Sequence, residues 1–258
     1  MNNLLAIYSI WLRDIIRVGR DRSRIVGAMA QPILYLFVFG TGMSRAFTPT
    51  AAKSLPFGGQ NYVVFLYPGI LGMAILFTSI FSAISIVWDR EFGFLKEVMV
   101  APISRATVAL GKGLGGSTIA LGQGVVILLF APLAGVHLSW QTVLLLIPTM
   151  ALVAFSLTSL GIVVAARMRT MEGFQMIMNF LMMPLFFLSG AMFPLRQLPG
   201  WLTILTRLDP LSYGVDALRT IVLGPQAQIY PLAVDIAVIA IFGATCMTMA
   251  AWMFNKID

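Results

Sequence analysis

Few residues in this sequence have the type and spacing that chemistry requires. Gly111-Lys112-Gly113-Leu114-Gly115-Gly116 satisfies G-x-G-x-x-G, the arrangement in which backbone N–H groups at a helix start cradle a dinucleotide's pyrophosphate. No strand-like run precedes it, no βαβ unit surrounds it, and the Walker spacing is missing. The bland alternative is preferred: small residues let helices pack closely at the start of a membrane span, and Lys112 reaches its ammonium back to the interface. Asp235 stands near the start of the last apolar run. An acid at the membrane centre costs about 2.5–3.5 kcal/mol or more and can serve proton coupling. Its place at the edge of the run points instead to an interfacial residue or a partner for Arg219. Asp216 and Arg219 are expected to cap or pair locally. The single histidine, His137, falls in a loop, and the single cysteine, Cys246, in an apolar run. They supply no metal-ligand cluster and no intrachain disulfide. Neither a catalytic constellation nor a metal centre is expected. Gln31, Gln123, Gln175 and Asn179 can line a polar path, although hydrogen bonding between helices is the commoner role.

The elements that must position these groups are set by composition. Of 258 residues, 59% are hydrophobic and 10% charged, against about 25% charged in a soluble domain. The apolar residues come in long runs, so lipid is the expected solvent for much of the chain. A formal charge of +7 would suit nucleic acid in a soluble protein. Here the basic residues flank the apolar runs, which is how membrane orientation is set, and no nucleic-acid partner is expected. Spans are predicted at 25–43, 62–88, 107–134, 140–166, 175–193 and 231–254, in one membrane domain covering 1–258. Residues 3–20 form an amphipathic helix, with Leu4, Leu5, Tyr8, Trp11, Leu12, Ile15 and Ile16 at helical spacing and Arg13, Arg17 and Arg20 off that face. Such a helix suits the headgroup plane, or a soluble partner domain. No cleavable signal is expected, and the first long run is taken as the insertion signal. Placing the N-terminus inside puts twelve basic residues on the inner segments and five on the outer ones. Both termini are then cytoplasmic, at the cell inner membrane.

Two stretches stand apart from the spans. Residues 89–104 contain Asp89-Arg90-Glu91-Phe92-Gly93-Phe94-Leu95-Lys96-Glu97-Val98-Met99 and then Pro102-Ile103-Ser104. Acids at 89 and 91 suit a helix N-terminus, and Pro102 disfavours helix just before it. The short helix between them would carry Phe92, Leu95, Val98 and Met99 on one side. That pattern fits a groove on another protein, or a surface loop lying on lipid. Residues 194–225 hold Pro194, Pro199, Pro210, Gly214 and Pro225 among apolar stretches too short to span.

The first stretch, continued through Gly111-Lys112, resembles the cytoplasmic coupling segment of ABC-2 type transporter permeases, whose members carry drugs, lipids or polysaccharides. The second resembles that family's signature before the last span: Ser189-Gly190-Ala191-Met192-Phe193-Pro194, Leu198-Pro199-Gly200-Trp201-Leu202, and Asp209-Pro210-Leu211-Ser212-Tyr213-Gly214-Val215-Asp216-Ala217-Leu218-Arg219. The chain departs from many relatives in having Phe92-Gly93-Phe94 after the glutamate. The resemblance implies an all-α membrane protein. It would have six transmembrane helices, an N-terminal interfacial helix, a cytoplasmic coupling helix and outer re-entrant helices over 194–225. Arg90 through Met99 would dock on a separate ATPase, present in two copies, that binds ATP and Mg. This chain would hold no cofactor and catalyse nothing itself. A second copy or a homologue would complete the permease within membrane lipid.

The expected function is outward movement of a hydrophobic or amphiphilic substrate, a drug-like compound or lipid, with lipid-linked polysaccharide as the alternative. Phe65, Phe77, Phe81, Gln175, Asn179, Met182 and Phe186 are the candidate path. The methionines at 176, 178, 182 and 183 offer an adaptable apolar surface, although ordinary core or lipid-facing positions explain them as well. An ion-coupled transporter would need charged residues deep in the spans, and an enzyme would need a His/Glu/Asp/Ser constellation. The sequence shows almost none of the first and lacks the second.

Overall fold

The computed structural model describes residues 3–46, 62–92, 104–195 and 198–255. All regular structure among them is helical. Helix α1 (Asn3–Arg20) leads into α2 (Arg22–Leu34), a π-helical turn (Tyr35–Phe39) and α3 (Gly40–Ala46). Then follow α4 (Tyr62–Ser82), α5 (Ile84–Glu91), α6 (Arg105–Leu128), α7 (Trp140–Ala165) and α8 (Met171–Leu188). Two short helices, α9 (Gly200–Leu208) and α10 (Pro210–Leu223), precede α11 (Leu232–Asn255). Among the described residues, five segments are long and apolar enough to cross a membrane: Val26–Ser44, Tyr62–Glu91, Trp140–Ala165, Met171–Leu188 and Leu232–Phe254. The protein is a multi-pass membrane protein.

Helix α6 has the length to cross, at 24 residues or roughly 36 Å, but not the apolarity. It carries glycine at 111, 113, 115, 116, 122 and 124, with Lys112 and Gln123. Its neighbours explain this composition. Gly111 lies under Ile10 of α1, Gly113 under Met247 of α11, and Gly116 between Ser82 and Thr158. The glycine run lets α1, α4, α7 and α11 approach one central helix, so packing takes the place of lipid contact.

The element ends differ from the sequence expectation for local reasons. Helix α5 continues to Glu91, after a turn at Ala83, so Asp89 and Glu91 lie in its last turn. Helix α8 begins early because the Thr170 hydroxyl accepts the N–H of Gly173 at 3.2 Å. It ends at Leu188 because Gly190 adopts φ 71°, a left-handed conformation that glycine takes without Cβ strain. Pro32 sits within α2. A proline there leaves the carbonyl four residues back without its helical donor, and Gln123 supplies one, its amide reaching Ala28 O at 2.8 Å. Gln123 also takes the Thr78 hydroxyl, so it joins three helices.

Helix α1 leaves several of its large apolar residues facing away from the protein. Ala6 and Asp14 are buried on α6, with Ile10 between them, and Leu4, Leu5, Tyr8 and Ile16 are exposed. Trp11 marks the rim, its indole N–H donating to Thr118 at 3.0 Å.

The close approach of α4 to the turn after α8 yields a test. An added Cβ at Gly69 falls on the Ala191 carbonyl, whereas Gly122 has nothing within 4 Å. Thermal melting in detergent should show Gly69→Ala losing ~1–3 kcal/mol. Gly122→Ala should be neutral or gain up to ~1 kcal/mol.

Candidate functional site

Five ionisable side chains from three helices meet at the end of the bundle where α1 lies. The Lys112 side chain is only 3% exposed, and its ammonium contacts Asp89 at 2.8 Å and Asp14 at 3.2 Å. The Ser85 hydroxyl accepts its third hydrogen at 3.1 Å. Arg13 reaches Asp89 at 3.0 Å and Asp14 at 3.6 Å. Arg17 lies 3.9 Å from Asp89, with its guanidinium 5.1 Å from the Trp88 ring centre. The expected snorkelling of Lys112 is therefore corrected. Its stem points between α1 and α5, where two carboxylates and a hydroxyl take all three of its donors. Asp89 is likewise held by ion pairs, and these outweigh the poor fit of an acid to a helix C-terminus.

The next two residues grip a different part of the chain. Arg90 donates to Met168 O at 2.7 Å and to Ala166 O at 3.0 Å, satisfying carbonyls of the turn that follows α7. Glu91 accepts the Met171 N–H at 3.2 Å, where α8 begins. Phe92 is exposed, its ring 5.0 Å from Trp88. The other candidate docking residues, Gly93, Phe94, Leu95, Lys96, Glu97, Val98 and Met99, lie outside the described residues.

A cavity of about 730 Å³ opens between α2, α4, α5, α6 and the start of α8. Asp14, Arg17, Asp21 and Glu172 supply its charged lining, Gln31, Gln123 and Gln175 its amides, and Phe77, Phe81 and Trp88 its aromatic wall. Of the candidate path residues, Phe77, Phe81 and Gln175 line it. Asn179 is exposed on α8, while Phe65, Met182 and Phe186 are buried in the core. Of the methionine group, Met176 and Met183 are exposed and Met178 and Met182 buried.

The signature residues gather at the opposite end of α4. Pro199 stands at the N-cap position of α9, Trp201 is exposed, and Leu198 and Pro194 are half-buried. Asp209 caps α10, its carboxylate accepting the Leu211 N–H at 2.9 Å ahead of Pro210. Burial pushes the Asp209 carboxyl up to about 8, against the opposing pull of the Leu211 and Ser212 N–H groups. The Tyr213 hydroxyl donates to Arg207 O at 3.0 Å, and its ring stacks on Tyr230 at 5.2 Å. Asp216 caps the backbone of Ile229 and Tyr230. Arg219 donates to Gly190 O at 2.8 Å and lies 4.2 Å from the Phe65 ring centre. Burial lowers the pKa of its guanidinium, with Asp216 pulling the other way. Asp235, expected at the interface or as a partner for Arg219, is fully buried in the first turn of α11, beside the Asp216 carboxyl.

This layout, with a charged knot at one end, short helices at the other and long apolar helices between, can be compared with known proteins. A model of the ABC-2 type transporter family matches residues 6–223. The chain belongs to the ABC-2 type transporter family. Among curated relatives, the transport permease ycf38 of Cyanophora paradoxa is 30% identical over 209 residues, 80% of this chain and 70% of that one. Nodulation protein J of Rhizobium meliloti (strain 1021) is 29% identical over 219 residues, 84% of this chain and 80% of that one. The ycf38 permease of Pyropia yezoensis is 27% identical, covering 83% and 72%. The chain is accordingly a membrane transport permease, and its family's role is transport rather than catalysis.

Sequence reasoning missed the part that Asp14, Arg13 and Ser85 play in the permease. One signal was available: Asp14 is the only acid in an otherwise basic helix, and an acid on the inward face of such a helix calls for a cation behind it.

The knot should respond unequally to substitution. Removing one partner of a buried ion pair costs about 3–5 kcal/mol, whereas an apolar replacement of the whole set costs far less. Asp89→Asn and Lys112→Met should each lower the detergent melting temperature clearly. The double variant should lose less than the sum of the two. Arg17→Gln should lose little, since Arg17 is exposed and stands 3.9 Å from Asp89, at the edge of ion-pair range.

Proposed function

We propose that this permease is the membrane subunit of an ATP-driven exporter and moves a hydrophobic or amphiphilic compound, drug-like or lipid, outward across the cell inner membrane. The five apolar segments and α6 together make six spans, with both termini and the α1 end in the cytoplasm. Residues 90–99 dock on a separate ATPase subunit, and two permeases, identical or homologous, pair about a two-fold axis. The residues over 194–225 are re-entrant on the outer side. The face of α1 bearing Leu4, Leu5, Tyr8 and Ile16 rests on lipid.

The observation that carries this reading is the anchoring of the segment just before 93. Asp89 is tied to α1 and α6, and Arg90 and Glu91 to the α7–α8 junction. A push delivered at Phe92 therefore reaches four helices through these contacts. The ATPase closes on ATP and opens after hydrolysis, and the spans follow as rigid bodies. The partner supplies the free energy and this chain supplies the shape.

The cavity supports an amphiphilic cargo. Phe77, Phe81 and Trp88 can receive an apolar body while Gln31 and Gln175 face a polar head. The same amides and aromatic rings also suit a lipid-linked glycan, the second reading.

In a Cys246→Ser background, cysteines introduced one at a time at 91–99 should cross-link to the ATPase subunit, most strongly near Leu95. Failure at every position overturns the docking. In the assembled complex, ATP hydrolysis should rise with hydrophobic compounds. A rise with polyprenyl-linked glycan alone transfers the cargo to the second reading.

A further inference from the structure

The short-helix end of the bundle buries more acid than base. Asp216 is 1% exposed, Arg219 2% and Asp235 0%. Asp216 is placed as an acceptor, the part a carboxylate takes: both of its oxygens face the Ile229 N–H, at 3.2 and 3.0 Å, and one also takes the Tyr230 N–H at 2.9 Å. Arg219 stands one turn further along α10 and balances that charge. Asp235 comes from another element, the first turn of α11. Among the described residues no donor reaches either of its oxygens, and the group within hydrogen-bonding reach is the Asp216 carboxyl. The remaining ionisable groups nearby are Tyr213, Tyr230, Arg207, Asp209 and Tyr62. Arg207 is exposed on α9, and the Tyr213 hydroxyl donates its hydrogen to Arg207 O.

An ionised Asp235 would then be a second negative charge with no hydrogen bond and no cation of its own. A helix N-terminus returns less than such a group loses by desolvation. Two carboxyls in one buried site resolve this by holding a proton between them. A metal ion fits poorly. Hard cations want a shell of six or more oxygens, and here the Asp216 oxygens already face N–H groups with a guanidinium nearby.

We propose that Asp216 and Asp235 form a proton site in which the Asp235 carboxyl keeps its hydrogen and donates it to the Asp216 carboxylate. The triad with Arg219 is then neutral, and the shared hydrogen ties the last long helix, α11, to the short helix α10. The site lies at the far end of the bundle from the charged knot and holds whether or not an ATPase docks there.

The test uses the full chain purified in detergent. Asp235→Asn keeps an N–H donor for Asp216 and removes no needed charge, so its melting temperature should stay close to the parent's. Asp216→Asn strips the acceptor from two backbone N–H groups and leaves Arg219 unbalanced, so it should melt several degrees lower. Infrared spectra of the parent should show a protonated carboxyl C=O band that shifts in heavy water and is lost in Asp235→Asn. If Asp235→Asn is as unstable as Asp216→Asn, Asp235 is an ionised partner of Arg219 and the proposal falls. It also falls if the infrared band is the same in parent and Asp235→Asn, or if sodium or calcium raises the parent's melting temperature but not that of Asp235→Asn. Should Asp216→Asn not fold, the infrared comparison between the parent and Asp235→Asn decides alone.

Discussion

A lysine ammonium withdrawn from water must find its full set of acceptors or it will not stay withdrawn. Lys112 meets this demand with Asp14, Asp89 and Ser85, and much of the rest of the molecule follows. Asp14 can reach the lysine only if α1 lies flat on α6, which requires Gly111 and Gly115 beneath Ile10 and Asp14. Asp89 can reach it only if α5 continues past the apolar run, and this places Arg90 and Glu91 against the ends of α7 and α8. One satisfied cation therefore sets the position of the N-terminal helix, the length of the second long segment and the footing of the residues after 92.

The opposite end obeys the same rule with other parts. Arg219 is buried against the Phe65 ring and the Gly190 carbonyl, and the latter is available because Gly190 turns the chain through a positive φ. Tyr62 adds its hydroxyl to Met192 O at 2.8 Å. Between these two ends the helices are joined mainly by apolar packing and small residues, with single hydrogen bonds such as Ser156 to Ile239 O at 2.8 Å and Tyr67 to Ile127 O at 3.1 Å. Such contacts permit small sliding of helices while the two ends keep their internal geometry. The cavity lies beside the knot, where Asp14 and Arg17 belong to both, so a cargo in it would touch the residues that hold the helices together.

Much of this was legible in the sequence because lipid and water impose simple patterns. Apolar run length placed the long helices to within a few residues, and Pro and Gly marked the interrupted region where α9 and α10 form. The small-residue reading of 111–116 also agrees with the structure, where each glycine admits a neighbour. What pattern could not show was pairing across the chain. Lys112 looks like a snorkelling residue until Asp14, almost a hundred positions earlier, is known to face it. Asp89 looks like the start of a helix because dipole preferences are local, whereas its partners are not. Helix α6 falls short of the apolar set for the same reason, since its surroundings are other helices rather than lipid. Asp235 could be placed at a helix start, but its neighbour could be named only once α10 and α11 were seen together.

The central physical claim is that the knot keeps α1, α5 and α6 as one body while the transporter works. Pulsed electron resonance can measure it directly in a Cys246→Ser background, with spin labels at the exposed positions Ser9 and Phe92 in the complex assembled with the proposed ATPase subunit. A second pair from Ser9 to the exposed Phe180 of α8 reports movement elsewhere. The Ser9–Phe92 distance should stay the same with and without nucleotide while the Ser9–Phe180 distance changes. A Ser9–Phe92 distance that changes with nucleotide would show that the knot opens during the cycle and would contradict the claim.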